Sequence, residues 1–75
     1  MFTYHGRQLD ISEEMLSDYR YYVGTPLTER WADIYVFNRF VGDGENYVNR
    51  FTDLSNEDLT RIIESGMKSE INARK

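Results

Sequence analysis

The sequence predicts a small α+β domain: an antiparallel sheet from two β-hairpins with two helices packed on one face, in the order ββαββα. Two observations predict it. Two segments read as short strands around a two-residue turn, and each is followed by a capped segment with helical periodicity. Since the chain has 75 residues, we expect one domain spanning 1–75. A sheet covered on one face leaves the other for water or a partner.

The N-terminal segment MFTYHGRQLDI predicts the first hairpin, with His5 and Gly6 as its two-residue turn. In that register Tyr4 pairs with Arg7 and Phe2 pairs with Leu9. One face of the hairpin then carries Phe2, Tyr4, Leu9 and Ile11. This apolar face is expected to point into the core.

The segment SEEMLSDYRYYVG predicts the first helix, with Ser12 as N-cap and Gly24 just past its end. Its apolar stripe consists of Met15, Leu16, Tyr19, Tyr22 and Val23. In the following TPLTERW, Thr25 as a cap and Pro26 at the first helical position predict a short helical turn.

The triplet Asn-Arg-Phe occurs at 38–40 and at 49–51, on either side of Asp43 and Gly44. An Asp-Gly pair is a strong signal for a type I′ turn, so this repeat predicts the second hairpin. One face would carry Ile34, Val36, Asn38, Phe40, Tyr47, Asn49 and Phe51. The other would carry Tyr35, Phe37, Arg39, Val41, Asn46, Val48, Arg50 and Thr52.

The same region is also compatible with two helices, which would make the protein an all-α bundle. The helical stripes would be Trp31, Ile34, Phe37 and Val41, then Tyr47, Val48, Phe51 and Leu54. The β-rich run DIYVF and the Asp-Gly pair favour strands, so the hairpin is the preferred interpretation.

The last helix is predicted by SNEDLTRIIESGMKSEI, with Ser55 as N-cap and Asp58 three residues later. Its apolar face consists of Leu59, Ile62, Ile63, Met67 and Ile71. Gly66 either ends this helix or permits close approach to a neighbouring element.

Composition excludes several classes of protein. The formal net charge is −4, with 13 acidic against 9 basic residues, which argues against broad binding to a nucleic-acid backbone. Cysteine is absent and His5 is the single histidine, so no disulfide and no usual zinc ligand set is expected.

No apolar run reaches the roughly 20 residues of a membrane span. With no secretory signal, a start at Met1 and an end at INARK, we expect a complete cytoplasmic gene product.

Candidate catalytic residues have simpler structural explanations, so the sequence predicts no enzyme, metal or cofactor. His5 lies in a predicted turn and has no sequence-evident partner to orient it. GDGEN lacks the spaced oxygen ligands of a calcium loop, and no phosphate-binding loop follows VGDG. The paired acids at the helix starts suit the helix dipole.

The outer sheet face is the predicted partner-binding site, and its members are Tyr35, Phe37, Arg39, Val48 and Arg50. Aromatic rings and arginines are enriched at binding hot spots. We therefore expect a non-enzymatic module that inhibits or modulates a larger protein. Phages and mobile elements encode such proteins, for example anti-CRISPR proteins and antitoxins. In a variant of this hypothesis, acids on the helices imitate a row of phosphates and occupy a nucleic-acid-binding groove of the larger protein. These acids are Glu13, Glu14, Asp18, Glu57, Asp58 and Glu64.

A second hypothesis, from a different class, is binding of single-stranded nucleic acid on the same sheet face. Tyr35 and Phe37 would stack bases while Arg39 and Arg50 contact phosphates. The sequence leaves open the identity of the partner and the oligomeric state, a homodimer included.

Overall fold

The computed structural model describes residues 1–39 and 54–75. Their elements are β1 (Phe2–Tyr4), β2 (Arg7–Leu9), α1 (Glu13–Val23), α2 (Glu29–Arg39) and α3 (Asn56–Arg74). β1 and β2 form a two-stranded antiparallel sheet, α1 and α2 pack against α3, and the hairpin contacts α2 through β1 and α3 through β2. This mostly helical structure with one two-stranded sheet is compatible with the α+β class, but the order ββαββα is not confirmed. The alternative, an all-α bundle, does not account for the hairpin. None of the described helices is long and apolar enough to cross a membrane.

The first hairpin is confirmed in its turn and its register. Phe2 aligns with Leu9 and Tyr4 with Arg7. His5 has a φ of 48° and Gly6 a φ of 79°, the two positive values that a type I′ turn requires. Tyr4 and Leu9 are fully buried, so the predicted apolar face does enter the core.

Local capping fixes both ends of α1, as predicted. The Ser12 hydroxyl accepts a hydrogen bond from the Met15 amide at 3.1 Å. Gly24 adopts a φ of 89°, and its amide donates to the Arg20 carbonyl at 3.0 Å. Tyr19, in the middle of the apolar stripe, is fully buried.

The predicted strand is wrong over residues 34–39, because Glu29–Arg39 is an α-helix. This helix buries Ala32, Tyr35 and Val36, and this burial outweighs the preference of the DIYVF run for strands. The helical alternative is thus confirmed over Glu29–Arg39, but its stripe at Trp31, Ile34 and Phe37 is not the buried side, since Ile34 and Phe37 are exposed. Val41 lies outside the described residues.

The start of α2 differs from the prediction too. The Thr28 hydroxyl accepts from the Trp31 amide at 3.4 Å, and the Thr28 carbonyl accepts from the Ala32 amide at 3.0 Å. The helix thus begins after Thr28, and the predicted turn of helix at Thr25 and Pro26 does not form.

The other half of the second hairpin, including Asp43, Gly44 and the strand at 46–52, lies outside the described residues. Its predicted pairing with 36–39 is wrong, since that segment is helical and offers no extended edge.

In α3 the predicted cap and core stripe are confirmed. The Ser55 hydroxyl accepts from the Asp58 amide at 3.1 Å. The buried stripe consists of Leu59, Ile63, Met67 and Ile71, while Ile62 is only half-buried. Gly66 lies inside the helix and permits close approach, because a Cβ there would lie 2.5 Å from Cγ of Tyr35.

Candidate functional site

The most prominent candidate surface is the outer face of α2, defined here by Arg30, Ile34 and Phe37. These residues have the spacing i, i+4, i+7, so their side chains lie on one side of the helix. Ile34 is 40% exposed and Phe37 is 49% exposed, whereas Ala32 and Val36 on the opposite side are fully buried. Half-buried Trp31 borders this face. The helix therefore presents apolar side chains next to an exposed arginine.

The orientation of α2 is fixed on one side by the hairpin. The Tyr4 hydroxyl donates to Oδ1 of Asp33 at 2.7 Å, and Nε2 of His5 lies 2.8 Å from the same oxygen. One turn earlier, the His5 amide donates to Oε2 of Glu29 at 3.1 Å. These contacts turn both acids of α2 toward the hairpin, away from the outer face.

On the other side, α2 is fixed by the contact of Tyr35 with α3. Tyr35 packs on Gly66 and hydrogen-bonds to Tyr19 of α1, with 2.7 Å between the two hydroxyl oxygens. The two rings are nearly perpendicular, at 85°, which is a favourable edge-to-face arrangement. Tyr35 thereby connects all three described helices.

The predicted sheet face does not form around its first three residues. Tyr35, predicted as a binding residue, is instead a core residue that is 8% exposed. Phe37 remains at the surface, on the outer face of α2, and Arg39 is the last residue of this helix. Val48 and Arg50 lie outside the described residues. Because Tyr35 is buried, it also cannot serve as the surface on which a base of a nucleic acid would stack.

His5 has partners that the sequence did not reveal. Asp33 orients its ring through Nε2, while Oε1 of Glu29 lies 3.9 Å from Nδ1. The two carboxylates approach opposite ring nitrogens, so they do not converge on one metal position. Among the described residues no group of three histidine or acidic side chains can hold a metal ion. The cluster joins the hairpin to α2.

The alternative acidic surface is divided rather than continuous. Its six members are Glu13, Glu14, Asp18, Glu57, Asp58 and Glu64. Glu13 pairs with the N-terminal ammonium group at 2.8 Å, and Glu57 pairs with Arg61 at 2.8 Å. Asp58 lines a groove beside Tyr35, whereas Glu14 and Asp18 are exposed on α1. A phosphate mimic needs a continuous row of negative charge, but neighbouring cations neutralise two of these six acids, Glu13 and Glu57.

A groove of about 670 Å³ runs between α2 and α3. It is lined by Tyr35, Asn38, Leu54, Asp58, Arg61, Ile62, Ser65, Gly66, Ser69 and Glu70. Ligand sites of this volume are common. Asn38 and Leu54 lie close to the ends of the segment outside the described residues, and we assign no ligand to the groove.

The buried tyrosine pair gives a prediction for stability. Replacing either Tyr19 or Tyr35 by Phe is expected to lower the free energy of unfolding by about 1–3 kcal/mol, because the remaining hydroxyl loses its buried partner. The double variant is expected to lose less than the sum of the two single losses. Urea unfolding of all four proteins measures this coupling, and simple additivity would contradict the hydrogen bond.

The same pair gives a prediction for alkaline pH. Burial raises the pKa of both Tyr35 and Tyr19 above the ordinary tyrosine value. The unfolded chain loses these protons near about pH 10, so the stabilisation is fully present below that pH and is lost as the pH rises further. We expect the free energy of unfolding to fall between about pH 10 and 11. The free energy of unfolding of the double Phe variant should fall less steeply with pH. That of Tyr21→Phe, at a position 80% exposed, should fall as in wild type.

The chain matches no protein-family model, no curated protein and no solved structure. Its function is therefore inferred from the outer face of α2, the described surface where two neighbouring apolar side chains of one helix are exposed together.

Proposed function

We propose that this chain is a small non-enzymatic protein-binding module that inhibits or modulates a larger protein. It is of the kind that phages and mobile elements encode, such as anti-CRISPR proteins or antitoxins. The observation that carries the proposal is the exposure of Ile34 and Phe37, one turn apart on α2, beside the exposed Arg30. This face of the helix would dock on the larger protein.

The physical support is the type of residue and its spacing. An amphipathic helix that inserts into a groove of a partner uses anchors at i, i+4 and i+7, which is the spacing of Arg30, Ile34 and Phe37. Aromatic residues and arginine dominate the energy of such interfaces. The buried contacts of α2 with the hairpin and α3 hold this face in place before binding, which lowers the entropic cost of association.

Substitution of the two apolar anchors tests the proposal. The partner is first isolated from the native host with the tagged chain, and its affinity is then measured by calorimetry. Ile34→Ser with Phe37→Ser is expected to weaken binding at least tenfold, because apolar anchors of an interface cost more than about 1 kcal/mol each when truncated. Circular dichroism and a melting curve establish that the variant is folded.

Tyr21→Ser is the matched control, because Tyr21 is a large exposed side chain on α1 rather than on α2. It is expected to bind like wild type. Unchanged affinity in a folded Ile34→Ser, Phe37→Ser variant would contradict the proposal. Salt-dependent retention of a single-stranded oligonucleotide, with no protein partner recovered, would favour nucleic-acid binding instead.

A further inference from the structure

We infer that the partner supplies a carboxylate to Arg30 at the border of an apolar cleft that receives Ile34 and Phe37. This inference rests on the proposed function and specifies the chemistry of the partner. It concerns one exposed cation and the two apolar side chains that follow it on the same face of α2.

Arg30 differs from several other charged residues of the described chain in having no local counter-ion. Arg61 pairs with Glu57 at 2.8 Å and Arg74 pairs with Glu70 at 3.4 Å. Among the described residues, no carboxylate lies within ion-pair distance of Arg30. The nearest acids along α2 are occupied elsewhere, because Glu29 and Asp33 bind the hairpin.

The outer face of α2 is consequently cationic and apolar in a chain whose net charge is −4. When Ile34 and Phe37 enter an apolar cleft, the guanidinium of Arg30, one turn away, approaches the border of that cleft and loses part of its water. A charge that is desolvated without a partner weakens binding, whereas a carboxylate in bidentate contact satisfies it. A cleft bordered by Asp or Glu is therefore the complementary surface.

Symmetric packing of two copies through α2 does not provide that surface. If two copies of α2 packed antiparallel around Ile34, Arg30 would face Asn38 of the second copy. If they packed parallel, Arg30 would face Arg30. Neither arrangement offers a carboxylate.

A nucleic acid fits this face less well for a different reason. Ile34, at the centre of the face, has no ring on which a base could stack, and strong binding to phosphates needs several cations. An acidic, apolar protein surface matches all three side chains.

The experiment begins with a photo-reactive benzoyl-phenylalanine in place of Phe37, expressed in the native host. Irradiation and peptide mapping identify the cross-linked protein and the segment that contacts α2. The expected segment is apolar and carries an Asp or Glu. A cross-link only to nucleic acid or to a second copy of the chain would overturn the inference, and the absence of any cross-link would overturn the proposed function as well.

Affinities for that purified protein then isolate the role of the charge. Arg30→Gln is expected to weaken binding roughly tenfold and Arg30→Glu more strongly, because truncating a desolvated charge pair leaves a charge unpaired. Arg20→Glu, at an exposed position of α1, is the charge-matched control and should change the affinity much less. Replacing the contacted carboxylate of the partner by Lys should restore binding to Arg30→Glu.

The outcomes separate the two proposals. If Ile34→Ser weakens binding while Arg30→Glu does not, the inference about the carboxylate is wrong and the proposed docking face stands. If neither variant weakens binding, both are wrong.

Discussion

Replacing Ile63 by Ala is expected to lower the free energy of unfolding by about 2–5 kcal/mol. Ile63 is fully buried in α3, where it belongs to the core formed by the hairpin and the helices. Removal of its side chain leaves a cavity as well as losing buried apolar surface. A domain of this size has a total stability of only about 4–11 kcal/mol, so the loss could be half of it or more.

The adjacent Ile62 is the matched control, since it is the same residue type in the same helix but only half-buried. Ile62→Ala is expected to cost distinctly less than Ile63→Ala. Urea unfolding followed by circular dichroism measures both. Equal losses, or a larger loss for Ile62→Ala, would place the buried face of α3 elsewhere.

Replacing Gly66 by Ala is expected to destabilise the protein by about 1–3 kcal/mol or more, as overpacking of a core does. The added Cβ would lie 2.5 Å from Cγ and 2.9 Å from Cβ of Tyr35. These atoms are at the base of the side chain, so relief requires α2 to move away from α3. The sign of the change in the free energy of unfolding is informative, because Ala in place of Gly inside an unobstructed helix stabilises a protein by about 1 kcal/mol.

Two further variants separate the clash from other effects of the substitution. Ser65→Ala introduces Ala at the exposed position next to Gly66 and is expected to change stability by less than about 0.5 kcal/mol. In a Tyr35→Ala background, Gly66→Ala should lower the free energy of unfolding much less, because most of the opposing side chain has been removed. A Gly66→Ala variant more stable than wild type would contradict the close packing of the two helices.

Local chemistry explains which parts of the fold the sequence predicts correctly. The turn at His5 and Gly6 and the hydroxyl caps at Ser12 and Ser55 involve contacts within a few residues. Such contacts depend on residue types at fixed spacing, so a single sequence contains the signal. The core stripe of α3 follows for the same reason, since helical periodicity places its apolar residues on one side.

The conformation of α2 is decided by contacts that are distant in sequence. The run DIYVF is rich in residues that favour strands, yet it is helical because Val36 and Tyr35 are buried in that form. Asp33 contacts His5 across 28 residues of sequence, and Tyr35 meets Gly66 on another helix. No local pattern encodes these pairs. The sequence alone predicts only that Gly66 either ends the helix or permits close approach to a neighbouring element, without identifying Tyr35 as that neighbour.

The sequence groups the residues of α2 differently from the structure, because it predicts a strand where the helix forms. A strand alternates its faces every second residue, which grouped Tyr35 with Phe37 and Arg39. A helix groups residues three and four apart, which buries Tyr35 and joins Phe37 to Ile34 and Arg30 instead. Of the two members whose side chains are described, Tyr35 is buried and Phe37 is 49% exposed.

Both functional proposals depend on the division of α2 into a buried side at Tyr35 and an outer face at Ile34 and Phe37. An NMR structure in solution tests it most directly. We expect helical carbon shifts from 29 to 39, together with strong NOEs between the ring of Tyr35 and the Hα protons of Gly66. Extended shifts over 34–39 without these NOEs would contradict the helix and remove the outer face on which the docking proposal stands.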